Sequence, residues 1–298
     1  MLHHDTLWSR TIEQTHHALH CGALQSLPTK SEFVEQGGIH FLVRMLSYPD
    51  LKQQAKKRQE DEKIATGNEP NPFLPYEQEL FVADLSSTHL CLLNKYNIVD
   101  HHLLIVTRAY EAQESALTMQ DFAAMWDCLA EFEGLAFYNS GKAAGASQHH
   151  KHLQLVPLPF TPTGPSIPIE KMLAKTHFRD PLGTVPNLPF KHALVRFAPD
   201  QFRAPLAAAR ATLEHYDLML KAMSLHSASE DDPPAPYNLL VTRAWMLLVP
   251  RSREAFASIQ VNALGFAGTL LVRTAQQVQR MKDYGPLNLL KQVAVPTN

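Results

Sequence analysis

The segment Asn139-Ser-Gly-Lys-Ala-Ala-Gly-Ala-Ser-Gln-His-His-Lys-His-Leu-Gln154 decides how the rest of this chain is interpreted. Its first half is rich in Gly, Ala and Ser, and small residues let backbone N–H groups approach phosphate oxygens closely. In a β-strand, side chains at i, i+2 and i+4 share one face. A strand at 150–154 would therefore align His150, His152 and Gln154, which we call the histidine row. The segment predicts a phosphate-binding loop that leads into a nucleophilic histidine.

Composition excludes several classes of protein. The chain has 298 residues, 45% of them hydrophobic and 19% charged, which suits one large domain or two small ones. A net charge of −2 predicts no general affinity for nucleic acid or for anionic membranes. We expect no signal peptide and no membrane span. The three widely spaced cysteines, Cys21, Cys91 and Cys128, predict a reducing, cytoplasmic setting instead of a disulfide framework.

The periodicity of apolar residues indicates an α+β fold with a largely antiparallel sheet flanked by helices. Thr118-Met-Gln-Asp121 resembles a capping box at the start of a helix. The proline-rich stretch 157–190 is expected to be irregular, and 264–271 is a segment of small residues. Helices are predicted at 8–25, 119–136, 203–226 and 273–282. Strands are predicted at 39–46, 80–84, 89–94, 102–107, 150–154, 194–197, 237–242 and 244–249.

The histidine row suits nucleophilic attack on phosphorus, because a neutral imidazole can take up positive charge as its second nitrogen keeps a proton. That nitrogen should donate to an acceptor such as a backbone carbonyl, so that the attacking nitrogen keeps its lone pair. Two histidines at i and i+2 are equally typical of a metal site, which would need two further ligands. His89, His101 and His102 could approach in space.

Seven further segments accompany the histidine row. They are Asn71-Pro-Phe-Leu-Pro75, Asn94-Lys-Tyr-Asn97, His102-Leu-Leu-Ile-Val-Thr107, Asn139-Ser-Gly141 with Gly145 and Ser147, Tyr237-Asn-Leu-Leu-Val-Thr-Arg-Ala-Trp-Met246, Val249-Pro-Arg251 and Asn262-Ala-Leu-Gly-Phe-Ala-Gly268. Together with the histidine row, these segments resemble the transferase branch of the histidine-triad superfamily, and within it the diadenosine tetraphosphate (Ap4A) phosphorylases, or ATP adenylyltransferases. The resemblance covers about residues 39 to 275 in the family's order. The hydrolase branch carries a third histidine at the position of Gln154.

This resemblance implies a role for each candidate residue. His152 would be the nucleophile, Gln154 would hydrogen-bond the phosphate of the intermediate, and His150 would support the site. His102 would lie close behind the nucleophile. The remaining candidates would contact substrate: Asn94, Asn139, Gly145, Ala146, Ser147, Gln148, Arg243, Arg251 and, in the charged segment 52–63, Lys56. A single HIT-like domain over 1–298 is implied, with a core at about 39–160 and a C-terminal, family-specific part at about 190–298.

The implied reaction is Ap4A + phosphate ⇌ ADP + ATP through an AMP–histidine intermediate. The partners expected are Ap4A, ATP, ADP and phosphate, for a monomer or small homo-oligomer. No protein metal site is predicted, whereas Mg²⁺ is expected to arrive with polyphosphates. Gln154 can exchange hydrogen bonds but cannot titrate, which suits transfer to phosphate better than activation of water. The alternatives are an Ap4A hydrolase and a nucleotide- or metal-binding protein that uses the fold without chemistry.

Overall fold

A ten-stranded antiparallel sheet forms the centre of the computed structural model, which describes residues 6–47, 71–161, 164–226 and 232–297. The strand order is β3-β4-β5-β7-β6-β11-β12-β10-β9-β8. These strands are β3 (Phe81–Asp84), β4 (His89–Leu93), β5 (Leu103–Thr107), β6 (Gly134–Asn139), β7 (His152–Pro157), β8 (His177–Arg179), β9 (Leu182–Thr184), β10 (Ala193–Arg196), β11 (Tyr237–Val241) and β12 (Trp245–Pro250).

Two smaller sheets accompany the central one. In the first, β2 lies between an antiparallel and a parallel neighbour, and the second is a short hairpin. Their strands are β1 (Thr29–Gln36), β2 (Ile39–Leu46) and β15 (Thr269–Val272), then β13 (Ala255–Phe256) and β14 (Ile259–Gln260).

Helices cover both faces of the central sheet. They are α1 (Leu7–His20), α2 (Met119–Glu131), α3 (Glu170–Leu173), α4 (Pro205–Ala222), α5 (Ala263–Phe266), α6 (Ala275–Tyr284) and α7 (Pro286–Val293), with short 3-10 turns at Gln78–Leu80, Lys142–Ala144 and Gln201–Arg203. None of the helices in the described ranges combines the length and the apolar character that crossing a bilayer requires.

The alternation of β7 divides its side chains between two environments. Leu153 and Leu155 belong to a buried cluster with residues of α2 and α4, such as Trp126 and Tyr216. Val156 belongs to a second cluster on the other face, which the small sheet and the C-terminal helices cover. A third, smaller apolar cluster lies over β4 and β5. Between the second and third clusters, none of the helices that the structure describes covers the face of β7 that carries the histidine row.

The predicted α+β architecture is confirmed. The capping box is also present, because the Thr118 side chain accepts from Asp121 N and the Asp121 carboxylate accepts from Thr118 N. The helix predicted at 119–136 stops at Glu131, since the run Leu135-Ala-Phe-Tyr138 supplies a buried strand instead. The polar edge strand β1 was not predicted. The stretch 157–190, expected to be irregular, contains the short elements α3, β8 and β9.

Candidate active site

The histidine row lies on one face at the beginning of β7. His150 forms an isolated bridge with Ala112, and the strand proper starts at His152, opposite Val106 of β5. Gln154 lies between Leu104 and Phe137 in the neighbouring strands and is half-buried. The predicted alignment of the three side chains is therefore present.

The imidazole of His152 is oriented by the backbone of the preceding histidine. Its Nδ1 lies 2.8 Å from the carbonyl oxygen of His150. A carbonyl can only accept, so Nδ1 carries the proton and Nε2 carries the lone pair. Within the described residues Nε2 makes no hydrogen bond. Burial lowers the pKa of His152 to about 4, against the opposite effect of its bond to the carbonyl, so the ring is neutral at physiological pH.

His150 is held by both ring nitrogens. Nε2 lies 2.8 Å from the carbonyl oxygen of Thr107 and 3.2 Å from that of Ala109, so Nε2 donates. Nδ1 then accepts from the amide nitrogen of Asn71 at 3.0 Å, whose own oxygen accepts from Phe73 N. Burial lowers the pKa of His150, and its bonds to the two carbonyls oppose that shift. His150 thus supports the nucleophile through a carbonyl whose position is tightly determined.

An apolar surface borders the two imidazoles. The ring of Phe73 lies 5.6 Å from that of His150 and 5.3 Å from that of His152, measured between centroids. Phe73 belongs to the third apolar cluster, which continues along the same face. This surface gives the row one dry side, and burial of this kind keeps the imidazoles neutral. The other buried members of the cluster are Leu90, Leu92, Leu104 and Val106.

The predicted phosphate-binding loop covers residues 140–149, and we call it the glycine loop. It leaves β6 at Asn139 and returns to the row at His150. Gly145 adopts φ +91°, and a Cβ there would lie 2.6 Å from the carbonyl oxygen of Val261, so glycine is needed both for conformation and for close packing. The predicted phosphate contacts Ala146, Ser147 and Gln148 follow it. Ser147 is exposed, and the other two are half-buried.

Asn139 anchors the base of this loop. Its side-chain oxygen accepts from Asn238 at 2.8 Å and from the backbone nitrogen of Ala263 at 2.9 Å. The residue is buried. The structure therefore places Asn139 beneath the loop, where its oxygen joins the central sheet to α5, and this oxygen has no capacity left over for donors elsewhere.

Arg251 does not contact phosphate, and that prediction is wrong. All five guanidinium N–H groups face acceptors of the protein itself, among them Ala144 O at 3.0 Å, Asn238 Oδ1 at 2.5 Å and Val293 O at 3.1 Å. The side chain is 4% exposed, and burial lowers its pKa to about 9. Arg251 instead ties the glycine loop to the C-terminal part of the chain.

Arg243 is likewise wrong as a phosphate contact, because it lies beyond the Gln154 end of the row, away from the glycine loop. It follows β11, in which Leu240 is level with Gln154, so three residues of strand, about 10 Å, separate it from Gln154 and five residues, about 16 Å, from the level of His152. Its guanidinium donates to the carbonyls of Leu129 and Ala130, at the C-terminus of α2. Charge and residue type alone suggested a phosphate contact, but the strand direction excludes it.

His102 was predicted to lie close behind the nucleophile. It shares the face of the row, but it does not lie close to His152. It falls just before β5, level with Val156, four residues or about 13 Å along the strand from the level of His152. Asn94, another predicted contact, reaches its Nδ1 at 3.2 Å. The pair therefore lies beyond Gln154. Lys56 lies outside the described residues.

The residues that sequence reasoning missed lie mostly behind and beside the row. Lys151, between the two histidines, points to the opposite face and is fully buried, 2.8 Å from Asp121 and 3.0 Å from Glu111. Asp121 also accepts from His89 at 3.0 Å. A lysine inside the predicted strand 150–154 is the signal that could have revealed this ion cluster. Asn71, which contacts His150, was noted only as part of the segment Asn71-Pro-Phe-Leu-Pro75, and Gln113, which contacts His152, carried no signal.

The alternative of a histidine metal site loses its extra ligands. His89 is bound to Asp121 on the other face of the sheet, and His101 contacts Thr15. Within the ranges that the structure describes, no three His, Cys, Asp or Glu side chains come together as metal ligands. The arrangement favours chemistry by a neutral imidazole next to a loop of backbone N–H groups.

Family models match nearly the whole chain. Residues 1–175 match the Ap4A phosphorylase N-terminal domain, and residues 186–296 match the ATP adenylyltransferase C-terminal domain. The first match supplies β3–β7 of the central sheet and the second supplies β10–β12, whereas β8 and β9 lie in the interval between the two matches.

Two curated yeast proteins and the solved structures agree with the family models. Diadenosine 5',5'''-P1,P4-tetraphosphate phosphorylase 2 of Saccharomyces cerevisiae is 29% identical over 242 residues, which are 72% of each chain. Protein APA1 of the same yeast is 27% identical over 213 residues, 64% of each chain. The crystal structure of yeast Ap4A phosphorylase Apa2 in complex with Ap4A has a TM-score of 0.78 at 22% identity and covers 98% of both chains. The complex with AMP gives 0.77 at 22% identity over 100% of both.

Proposed function

The chain belongs to the Ap4A phosphorylase family, and from this premise we propose that it transfers AMP through a covalent bond to Nε2 of His152. The enzyme is a nucleotidyltransferase, and its reaction is the phosphorolysis of Ap4A to ADP and ATP. The observation that carries the proposal is the bond from His152 Nδ1 to the carbonyl of His150 at 2.8 Å, which leaves the Nε2 lone pair directed away from the backbone.

The two half-reactions balance through that nitrogen. Nε2 attacks the phosphorus next to one adenosine, a P–N bond forms, and the bond to the remaining triphosphate breaks, which releases ATP. An oxygen of inorganic phosphate then attacks the same phosphorus, the P–N bond breaks, and ADP leaves. Nδ1 keeps its proton throughout, and the His150 carbonyl stabilises the positive charge that the ring gains on attack.

Gln154 and the glycine loop complete the site in this proposal. Gln154 lies two residues along the same face, where its amide can hydrogen-bond the phosphate of the intermediate without taking a proton from water. Backbone N–H groups of the segment 145–148 supply donors for the polyphosphate. We place Mg²⁺ on the substrate's phosphates and not on a protein site, because the described residues offer no cluster of three ligands.

The setting of the enzyme follows from the same chemistry. Nucleotides and phosphate are its partners, and it acts as a monomer or small homo-oligomer, without nucleic acid or membrane. We propose a cytoplasmic location, since Cys21, Cys91 and Cys128 are all free thiols and Ap4A and ATP are intracellular substrates.

Phosphate dependence tests the proposal against the hydrolase alternative. Ap4A is incubated with and without phosphate in isotope-labelled water, and the products are separated. The proposal predicts continued turnover to equal amounts of ATP and ADP only with phosphate present, without label in either. Without phosphate, release of ATP should stop once each chain carries AMP. Equal turnover without phosphate, with labelled oxygen in a product, would establish a hydrolase. Binding of Ap4A without any turnover would establish the binding protein.

A further inference from the structure

Gln113 is a fully buried glutamine that lies outside every strand and helix yet contacts the backbone of the nucleophile twice. Its side-chain oxygen accepts from His152 N at 2.9 Å. Its amide nitrogen donates to the carbonyl of Asn139 at 2.9 Å and to that of His152 at 3.2 Å. Each donor hydrogen of the amide thus has an acceptor, and the amide oxygen has a donor.

The location explains why a side chain is needed there. The ladder between β6 and β7 ends with Phe137 opposite Gln154. Two residues further along the same register, Asn139 and His152 would face each other, but the glycine loop leaves the sheet here and the strands separate. The Gln113 amide fills the gap and forms the hydrogen bonds that a continued ladder would have formed. Backbone groups this deeply buried destabilise a fold if they are left without partners.

Gln113 is itself firmly held. Its backbone nitrogen donates to His149 O at 2.8 Å, and its carbonyl accepts from the hydroxyl of Tyr138. Tyr138 is buried in the centre of the sheet and also donates to Ser115 O at 3.1 Å. The amide therefore has a defined position relative to both the glycine loop and the row.

We propose that Gln113 is a positioning residue that sets the attack geometry of His152 while it keeps β6 and β7 apart for the glycine loop. The proposal rests on the proposed function, because it assigns Gln113 to the adenylyl transfer to Nε2. The His152 imidazole is oriented by the carbonyl of His150, but only relative to its own backbone. Gln113 fixes that backbone, and displacement of a reacting atom by 1 Å can lower a rate on the order of 100-fold.

Two substitutions separate positioning from simple packing. Gln113→Ala removes all three bonds, so we expect the single-turnover rate of adenylyl transfer to fall on the order of 100-fold at every pH, with little change in Ap4A binding. Gln113→Glu keeps the shape, but a carboxylate would face two carbonyl oxygens and must bind a proton before it can donate to either. Its rate relative to wild type should therefore rise as the pH is lowered from 8 to 6.

A matched control removes a buried hydrogen bond elsewhere. Thr212 accepts from the Trp126 indole at 2.8 Å between α2 and α4, far from the row, and is fully buried. Thr212→Val should lower the melting temperature, yet leave the transfer rate and its pH profile as in wild type. This control shows what loss of a buried bond does when the nucleophile is not involved.

Amide hydrogen exchange tests the hydrogen bond between His152 N and the Gln113 side chain without an activity assay. In Gln113→Ala, exchange of the His152 amide should accelerate at least tenfold, while core amides of α2 and β11 stay protected and show that the variant folds. If the transfer rate, the pH profile and the His152 exchange all match those of Thr212→Val, Gln113 is not a positioning residue. If wild type forms no AMP adduct, the proposed function fails, but the exchange result still tests the contact.

Discussion

Polar side chains at the start of β7 have opposite charge states on the two faces of the sheet. They are neutral on one face and charged on the other, although they alternate along the single segment 150–152. On the open face, His150 and His152 are kept neutral, since burial lowers the pKa of both. On the closed face, Lys151 is 0% exposed and lies 2.8 Å from Asp121 and 3.0 Å from Glu111. The open face therefore presents the Nε2 lone pair of His152, and the closed face holds the Lys151 ammonium in ion pairs.

Asp121 shows how the closed face keeps a charge. Burial alone would raise the pKa of this carboxyl, but the hydrogen bond from His89 and the charge of Lys151 lower it to about 2. The same carboxylate caps the first turn of α2 through Thr118. The ion cluster therefore joins the strand of the nucleophile to the helix behind it.

Within the three consecutive residues 150–152, different side chains therefore serve reactivity and stability. A neutral imidazole with one engaged nitrogen is reactive and contributes little to the fold. A buried ion pair is unreactive, and removing one partner leaves the other uncompensated. Substitutions on the two faces should consequently change different measured quantities.

Loss of the open-face nucleophile should have the largest effect. His152→Ala removes the nitrogen that receives AMP, so kcat for Ap4A phosphorolysis should fall on the order of 10,000-fold or more. The free energy of unfolding should change less than in variants of Lys151. Steady-state kinetics and urea denaturation measure the two effects. Residual kcat above one-hundredth of wild type would exclude His152 as the nucleophile.

Among these substitutions, loss of the buried ion pair between Lys151 and Asp121 should destabilise the protein most. Lys151→Met leaves Asp121 charged and buried, so the free energy of unfolding should fall by about 3 to 5 kcal/mol. Lys95→Met is the matched control, because Lys95 forms an ion pair with Glu77 that is partly exposed on both sides. Its loss should change stability by about 1 kcal/mol or less. Equal effects of the two substitutions in urea denaturation would remove the distinction between the faces.

Acid should act on the two faces in separate pH ranges. His152 binds a proton on unfolding wherever the pH lies between its folded pKa of about 4 and its ordinary value of 6.5, so stability should fall by about 3 kcal/mol as the pH drops across that window. Asp121 contributes stability above its ordinary pKa of 3.8 and loses it only as the pH falls towards about 2.

A variant without a titratable side chain at position 152 isolates the contribution of His152 to the pH dependence of stability. Urea denaturation of His152→Gln between pH 4 and 7 should show a smaller slope of unfolding free energy against pH than wild type. Parallel pH curves for the two proteins would mean that His152 is not held neutral in the fold.

The cation at the far end of the same strands should matter least. Arg243→Ala removes the donors to the carbonyls of Leu129 and Ala130, so stability should fall by about 1 kcal/mol, as for loss of a favourable group at a helix C-terminus. KM for Ap4A and for phosphate should stay as in wild type. A tenfold rise in either KM would place Arg243 on the substrate path after all.

The alternation of the histidine row could be predicted from sequence, because period 2 follows from strand geometry alone. The partner of Nδ1 could also be anticipated, since a strand always offers a carbonyl. The strand that follows His102 was found, but the register that puts the residue four positions from His152 depends on tertiary pairing. Arg251 illustrates a different limit, because a guanidinium that binds phosphate and one that binds six carbonyl and amide oxygens look alike in sequence.

Gln113 was not predictable for a related reason. Its segment has no apolar periodicity, and the gap that its amide fills exists only because two strands separate around the glycine loop. Nothing local to the residue reports this gap. Contacts between a loop side chain and a distant backbone emerge only from the folded arrangement.

The account depends most directly on where AMP is attached. Wild-type protein is mixed with Ap4A without phosphate and quenched under alkaline conditions, and the adduct is located by peptide mapping and phosphorus NMR. We predict one AMP for each chain, on Nε2 of His152, labile in acid and converted to ADP when phosphate is added before the quench. AMP on His150 or on Nδ1, or release of ATP without any adduct, would contradict the account.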